Sequence, residues 1–269
     1  MNKLILGRYF PGESWIHQLD PRGKLVAAIY FIGILFFAEG WIGYLLLLGF
    51  TLLVMQMSGV SLKIYLRGVR PLIWLILFTV TLQVLFTAGG TIYFDWGPFT
   101  VSSYGLINGV FIFLRFVMII FISTVVTLTT KPIDLTDAIH ALLRPLRVVK
   151  VPVEDFALML SIALRFIPNL LDETQKVMDA QRARGTTFGE GTLIQQMKTL
   201  VPIVLPLFVG SLKRAEDMAD VMEVRGYQSD KPRSSFRQLT WTRYDTVSII
   251  IMLLLTAMLM LVNRIGAYY

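Results

Sequence analysis

The sequence MDAQRARG (residues 178–185) closes one long charged stretch of the chain, and ADVMEVRG (residues 219–226) closes a second one in the same way. In each, an aspartate stands five residues before an Arg-Gly pair. Upstream of the first ending, apolar residues recur at intervals of three, four or seven, and both stretches predict long helices, over 153–184 and 192–225. At 1.5 Å per residue, each helix would be about 50 Å long. Two long charged helices with matching ends therefore stand in an otherwise apolar chain.

The composition is that of a membrane protein. Of 269 residues, 55% are hydrophobic and 16% are charged, and the mean hydropathy is +0.65. These values are too apolar for an ordinary soluble domain. The net charge of +7 comes from basic residues placed between apolar runs, so it indicates membrane orientation rather than nucleic-acid binding. The chain has no cysteine, which excludes a disulfide framework and thiolate metal ligands.

Five apolar runs predict membrane-spanning helices. Lys and Arg are concentrated in 1–24, 58–70 and 131–245, and they are absent from 39–40 and 89–103. Because basic residues stay on the cytoplasmic side, this alternation predicts that the N-terminus and the long-helix region are cytoplasmic and that the C-terminus is outside. The predicted spans are 25–38, 41–57, 71–88, 104–130 and 246–262.

The expected fold is therefore an all-α polytopic membrane protein, with about five transmembrane helices and a cytoplasmic region of long helices. Its predicted parts are 1–130 with a lead-in and four spans, 131–245 with the long helices, and 246–269 with the last span. In the lead-in, Asp20 and Pro21 predict a helix start, with the aspartate as cap and the proline in the first turn.

Three further expectations concern the cytoplasmic region. A short amphipathic helix is predicted over 135–143. The run 200–212 is nearly all apolar but too short to cross a bilayer, so it needs cover from protein or from the membrane interface. Pro168, Pro202 and Pro206 are expected to kink or break the long helices, so that the region would hold more than two straight rods.

The sequence carries no motif of the common enzyme classes. It has no Gly-x-x-x-x-Gly-Lys-Ser/Thr phosphate loop, no Gly-x-Ser-x-Gly and no His-Glu-x-x-His. His17 and His140 lie far apart and lack metal-ligand spacing, so each is interpreted as a satisfied or interfacial histidine. We expect neither catalysis nor a metal site in this chain.

The two Arg-Gly endings have two interpretations. In the first they are plain caps, because Gly ends a helix readily and Arg complements the negative end of the helix dipole. In the second they form a docking device, in which each Arg makes forked, charge-assisted hydrogen bonds to a partner's carboxylates or carbonyls. Repetition of the ending after two long helices favours docking. Asp179 and Asp220 either orient Arg184 and Arg225 or are simply solvated, and the sequence leaves both open.

Arg115 lies in the middle of the fourth predicted span. A charge at that depth costs about 2.5–3.5 kcal/mol. It is either a residue of a transport pathway or a buried structural residue bonded to backbone or to polar neighbours such as Gln83. The pathway interpretation would make the chain a stand-alone secondary transporter or channel. A membrane-embedded enzyme is a further alternative, but it would need an ionisable cluster that the sequence does not contain.

The segment PGESWIHQLDPRGKL (residues 11–25) and the Arg-Gly endings together resemble a known family. The segment is similar to the N-terminal signature of the transmembrane T component (EcfT/CbiQ-like) of energy-coupling factor transporters, which are prokaryotic ABC-type importers of vitamins or metal ions. The endings resemble that family's paired Ala-Arg-Gly signatures. The first ending matches in full, whereas the second has Val224 at the alanine position. The resemblance covers essentially the whole chain.

The resemblance implies a coupling subunit in the prokaryotic plasma membrane that is not an enzyme and binds no cofactor. Two cytoplasmic ATPase subunits, which carry the ATP and Mg, would bind its motif arginines. A small membrane-embedded S component, which binds the substrate, would pack on the apolar faces of its long helices, and ATP-driven motion would bring about vitamin or metal-ion uptake. The residues expected at the ATPase-docking sites are Ala183, Arg184, Gly185, Val224, Arg225, Gly226, Asp179 and Asp220. Those expected to face the S component are Phe156, Met159, Ala163, Phe166, Leu200, Ile203 and Leu207.

Overall fold

A computed structural model describes residues 9–87, 89–96, 99–145, 153–189, 192–228 and 240–266. The chain divides into two compact units, one formed by Met1–Leu142 together with Leu239–Tyr269 and the other by Leu143–Gln238. The predicted all-α class is confirmed, with one local exception. Part of the loop predicted over 89–103 forms an antiparallel hairpin of β1 (Ile92–Trp96) and β2 (Phe99–Ser102).

The first unit is a helical bundle that carries most of the apolar runs. Its long helices begin and end close to the residues predicted from the sequence. The helices in chain order are α1 (Trp15–Gln18), α2 (Pro21–Phe36), α3 (Gly40–Met57), α4 (Leu62–Val69), α5 (Ile73–Phe86), α6 (Ser103–Thr129), α7 (Pro132–Leu143) and, after the second unit, α10 (Arg243–Gly266).

The helices of this chain have the length and composition of a polytopic membrane protein. Three helices of the first unit, α3, α6 and α10, are long and apolar enough to cross a bilayer. The pair α4 and α5 passes the same criterion jointly, although it is bent by 60°. Of the five predicted spans, the first became α2, with 16 residues, and the third became α5, with 14; neither passes alone, and α5 does so only together with α4. In the second unit, Ile194–Val224 also passes by length and composition, which the short apolar run 200–212 did not suggest.

Two clusters of buried apolar side chains hold the first unit together. The larger joins α2, α3, α6 and α10 through residues such as Phe31, Leu47, Met118 and Leu259. The smaller joins α1, α3, α4, α5 and α6. Between α5 and α6, the glycines of α6 permit close approach, because a Cβ on Gly109 would lie 2.8 Å from a methyl carbon of Val84.

The lead-in is fixed to the bundle by buried polar groups. The Asp20 side chain accepts a 2.8 Å hydrogen bond from the Arg22 backbone N–H, which confirms the predicted cap. The Asp20 N–H donates to the fully buried Asp245 carboxylate of α10 at 2.7 Å, and the Lys24 amine donates to the Thr129 carbonyl of α6 at 3.0 Å. His17 bonds through both ring nitrogens, to Ser14 Oγ and to the Phe10 carbonyl, so its interpretation as a satisfied histidine is confirmed.

Arg115 has a structural partner in the first unit. Its Nη2 donates a 2.6 Å hydrogen bond to the hydroxyl of Tyr44 on α3, and its guanidinium carbon lies 5.0 Å from the ring centroid of Phe36 on α2. The predicted contact with Gln83 is therefore wrong, because the Arg115 side chain points towards α2 and α3. A hydrogen bond and a cation–π contact lower the cost of keeping the charge among apolar helices.

The second unit contains two long helices, α8 (Val153–Ala183) and α9 (Leu193–Val224). Pro168, Pro202 and Pro206 lie inside these helices without interrupting them, so the expected breaks are wrong, whereas the expected kinks stay a prediction. One proline removes one N–H donor, and the hydrogen bonds on both sides keep the helix continuous.

The two helices are antiparallel, because later residues of α8 contact earlier residues of α9. Arg214 Nη2 lies 2.7 Å from Glu173 Oε2, and its guanidinium carbon lies 5.8 Å from the Phe166 ring centroid. A Cβ on Gly210 would lie 3.1 Å from Glu173 Oε1, so the helices approach closely there.

Candidate docking site

The helix α8 ends in a glycine cap. Gly185 has a positive φ of 88°, and its N–H donates to the Arg182 carbonyl at 2.9 Å. The next N–H, of Thr186, reaches back five residues to the Gln181 carbonyl at 3.0 Å. This pair of hydrogen bonds satisfies carbonyls that the last helical turn leaves open. Arg184 is consequently fixed as the last residue before the turn.

The helix α9 ends in the same kind of cap, with the same two hydrogen bonds. Gly226 has a φ of 75°, and its N–H donates to the Glu223 carbonyl at 2.8 Å. The Tyr227 N–H reaches back five residues to the Met222 carbonyl at 2.9 Å. Arg225 therefore occupies the position on α9 that Arg184 occupies on α8. The matching endings in the sequence correspond to one local structure built twice.

Both arginines face solvent. Arg184 and Arg225 are exposed, as are the neighbouring Ala183 and Val224, and Val224 is 88% exposed. Within the described ranges, neither guanidinium has an ion pair or a side-chain hydrogen bond. All of their N–H donors thus remain available to a partner.

The upstream aspartates do not orient these arginines in the described structure. Asp179 bonds Arg182 at 3.0 Å and Gln175 at 2.9 Å, rather than Arg184. On a helix, residues three or four apart share a face, whereas residues five apart do not. Asp220 is exposed, and the part of the chain that the structure describes offers it no side-chain partner.

The two arginines lie at opposite ends of the helix pair. Arg184 follows Glu173 by eleven residues, and Arg225 follows Arg214 by eleven residues. Because Glu173 and Arg214 contact each other and the helices are antiparallel, the two tips extend in opposite directions from that contact. At 1.5 Å per residue, each tip lies about 16 Å from it along its helix. The two arginines are therefore well separated along the helix pair.

The residues expected to face an S component divide by exposure. Phe156, Met159 and Leu200 are strongly exposed, at 62%, 64% and 52%, and Ala163 is exposed as well. Leu207 is half-buried. Phe166 is half-buried as well and packs against the Arg214 guanidinium, whereas Ile203 is only 5% exposed.

The exposed apolar face of α9 includes residues that were not expected individually from the sequence. Of the three α9 residues expected to face the S component, Leu200 is exposed, Leu207 is half-buried and Ile203 is covered. Because this stretch is apolar nearly all round, the spacing alone does not say which side is covered. The exposed face of this stretch consists of Leu200, Val201, Val204, Leu205, Phe208, Val209 and Leu212, each more than half exposed.

Known proteins are similar to this chain over most of its length. A family model described as the cobalt transport protein CbiQ matches residues 12–236, which include the lead-in and both long helices. The energy-coupling factor transporter transmembrane protein EcfT 1 of Listeria monocytogenes is 62% identical over 263 residues, covering 98% of this chain and 99% of the relative. The chain belongs to the CbiQ/EcfT family.

Other members of the CbiQ/EcfT family align over the same length. The EcfT protein of Lacticaseibacillus paracasei is 55% identical over 263 residues, covering 98% of this chain and all of the relative. The EcfT protein of Lactococcus lactis subsp. cremoris is 48% identical over 266 residues, covering 99% of this chain and all of the relative. With its apolar helices, the chain is a membrane-embedded transport protein of this family.

Metal-ligating side chains do not gather in the described structure. Among the described residues, no three His, Asp or Glu side chains come close enough together to hold a metal ion. The features that stand out in the second unit are the two exposed arginines and the exposed apolar face of α9.

Proposed function

We propose that this chain is the coupling subunit of an energy-coupling factor transporter, which transmits ATP-driven motion to a substrate-binding S component. The observation that carries the proposal is the identical Arg-Gly cap at the two opposite ends of the α8–α9 pair. The relatives are named as transmembrane proteins of such transporters, which supports the same assignment. This chain holds no catalytic residue in the proposal, and ATP and Mg belong to the partner ATPase subunits.

Each cap presents one arginine to one ATPase subunit. Arg184 and Arg225 are exposed and unpaired within the described residues, so their planar guanidinium groups can make forked hydrogen bonds to carboxylates or carbonyls of the partner. Gly185 and Gly226 turn the chain immediately after each arginine, which keeps the tip clear for docking.

The helix pair then transmits the motion. The Glu173–Arg214 ion pair and the Phe166–Arg214 contact connect α8 to α9, so movement at one tip is passed to the other helix. The S component packs on the apolar face of α9 around Val204, Phe208 and Leu212, because an exposed apolar surface of this size needs a partner or the membrane interface to cover it.

The proposal fixes the orientation of the chain. ATPase subunits are cytoplasmic, so both arginine tips and the N-terminal lead-in lie on the cytoplasmic side of the prokaryotic plasma membrane, and the C-terminus lies outside. The transported compound is a vitamin or a metal ion, which binds to the S component and not to this chain.

Replacement of both arginines tests the proposal. In the complete transporter, Arg184→Gln together with Arg225→Gln is expected to abolish co-purification of the ATPase subunits and ATP-driven uptake. Lys198→Gln, which removes an exposed charge near the start of α9, is the matched control and should leave both unchanged. Normal assembly and uptake in the double variant would refute the proposal, and so would solute flux through the purified chain alone in liposomes.

A further inference from the structure

A groove lies beside the tip of α9. It encloses about 610 Å³ between the first half of α8 and the last turns of α9. Its apolar lining, which includes Leu158, Ile162 and Met222, is called its floor here, and Arg165 from α8 together with Arg225 from α9 is called its basic wall. Its lining residues are Leu158, Ser161, Ile162, Arg165, Met218, Val221, Met222, Arg225, Gly226, Tyr227 and Gln228.

The groove has an unbalanced positive charge. None of its described lining residues is acidic. Arg165 and Arg225 are both exposed, and within the part of the chain that the structure describes neither has an ion pair or a side-chain hydrogen bond. Two unpaired guanidinium groups on one groove repel each other mildly and attract an anionic partner.

The tip of α8 is built differently. The second cation near Arg184 is Arg182, and its charge is already used by Asp179 at 3.0 Å. The Arg182 guanidinium also lies over the ring of Phe188, with its carbon 5.7 Å from the ring centroid. One arginine is therefore available at the α8 tip, whereas two are available at the α9 tip.

We infer that Arg165 is a second docking residue at the α9 tip, and that the groove receives an acidic segment of one ATPase subunit with an apolar side chain beside its carboxylates. The inference rests on the proposed function, because it names the chemistry of one of the two docking sites. Carboxylates of the segment bind Arg165 and Arg225 together, and the apolar side chain contacts Leu158, Ile162 and Met222 on the floor.

Charge complementarity and the apolar floor together favour an acidic segment with an apolar side chain as the occupant of the groove. The two arginines disfavour binding of a basic or neutral polar segment. The apolar floor disfavours binding of a segment that contains only acidic side chains. A segment with both properties satisfies the two arginines and removes the apolar floor from water. The ATPase subunit at the α9 tip is therefore expected to be more acidic at its docking surface than the subunit at the α8 tip.

The test is a set of binding titrations on the complete chain in nanodiscs with the purified ATPase subunits. Arg165→Gln is expected to weaken ATPase binding about tenfold, as for loss of one hydrogen bond to a charged group. It should also reduce the dependence of binding on salt. Arg165→Lys keeps the charge and should stay within about threefold of the wild type. Lys176→Gln, an exposed cation further along α8, is the matched control and should have no effect.

Double variants assign Arg165 to one tip. Residues that share a partner group are not additive, whereas independent residues are. Arg165→Gln is therefore expected to weaken binding less in an Arg225→Gln background, and by its full factor in an Arg184→Gln background. If Arg165→Gln behaves like the control, or couples to Arg184 instead, the inference is overturned. An effect of Arg225→Gln on binding without one of Arg165→Gln would refute only the inference. If Arg225→Gln itself leaves binding unchanged, the proposed function is refuted too.

Discussion

Glu173 on α8 and Arg214 on α9 form an ion pair with a 2.7 Å N–O distance, and each stands eleven residues before the arginine that ends its own helix. Both side chains are about one-third exposed, so the pair is partly screened by solvent. It stands midway between the two arginine-bearing helix ends, so under the proposed function it would pass motion from one helix to the other.

Removal of this ion pair should reduce ATP-driven uptake strongly but lower the free energy of unfolding only slightly. Glu173→Gln is expected to lower the free energy of unfolding by about 0.5–1.5 kcal/mol, the range for a partly exposed hydrogen-bonded charge pair. ATP-driven uptake should fall more than ATPase binding, because both tips remain intact. The exchange variant Glu173→Arg with Arg214→Glu should recover part of the uptake. Equal losses of binding and uptake in the single variant would contradict this role.

The cap glycines should be sensitive to a single methyl group. Gly185 and Gly226 have φ values of 88° and 75°, where a residue with a Cβ is strained by about 1–2 kcal/mol. Gly185→Ala and Gly226→Ala are each expected to loosen the last turn and to weaken ATPase retention, although the arginines are unchanged. Retention is measured by co-purification at increasing salt.

Gly49→Ala provides the control for this prediction. Gly49 lies inside α3 in open space and without a positive φ. Alanine there should be neutral or slightly stabilising, because it favours helix over glycine by up to about 1 kcal/mol. Retention equal to the wild type in both cap variants would show that the turn geometry does not matter for docking.

The exposed face of α9 should be required for the S component alone. Phe208 is 59% exposed, so Phe208→Gln removes apolar surface without leaving a cavity. We expect retention of the S component to fall and retention of the ATPases to remain. Lys198→Gln, which changes an exposed polar side chain of the same helix, is the matched control. A loss of both partners in the Phe208 variant would point to a distorted helix rather than to a docking face.

The contact of Arg115 predicts a stability role. Tyr44→Phe removes the 2.6 Å hydrogen bond to Nη2 and leaves a charged donor without this acceptor. The expected cost is about 1–3 kcal/mol, seen as a lower unfolding temperature of the complex in detergent. Tyr30→Phe is the control, because Tyr30 is exposed and bonds only the hydroxyl of Thr256 among the described residues. Changed substrate selectivity at unchanged stability would favour a pathway role.

Local signals predicted the helix ends well. Asp20 caps α2 as expected, and Gly185 and Gly226 end α8 and α9 where the Arg-Gly pairs stand. Each of these ends depends on neighbouring residues only, since a cap forms from a side chain or a glycine within one turn. The positions of the two helix-ending arginines were therefore readable from the sequence, whereas their docking role stays a prediction.

Contacts between helices were not readable in the same way. The sequence does not say that Ile203 is covered while Phe208 is exposed, because both belong to one nearly continuous apolar run. Nor does it say that Arg115 turns towards Tyr44 on another helix, since that contact depends on how α3 and α6 pack. Arg165 was overlooked for the same reason, as it matters only beside the last turns of α9.

The equal spacing of the two tips from the Glu173–Arg214 pair has a mechanical consequence. Under the proposed function, that pair would serve as a pivot with arms of about 16 Å on either side. Equal and opposite pulls on Arg184 and Arg225 would cancel as net forces while turning each helix by an equal moment. Under the proposed function, two closing ATPase subunits would thus rotate α8 and α9 without displacing the ion pair. Insertion of one helical turn before either arginine would lengthen the distance from the ion pair to that arginine only. Part of the rotation of the helices would then become a displacement of the ion pair.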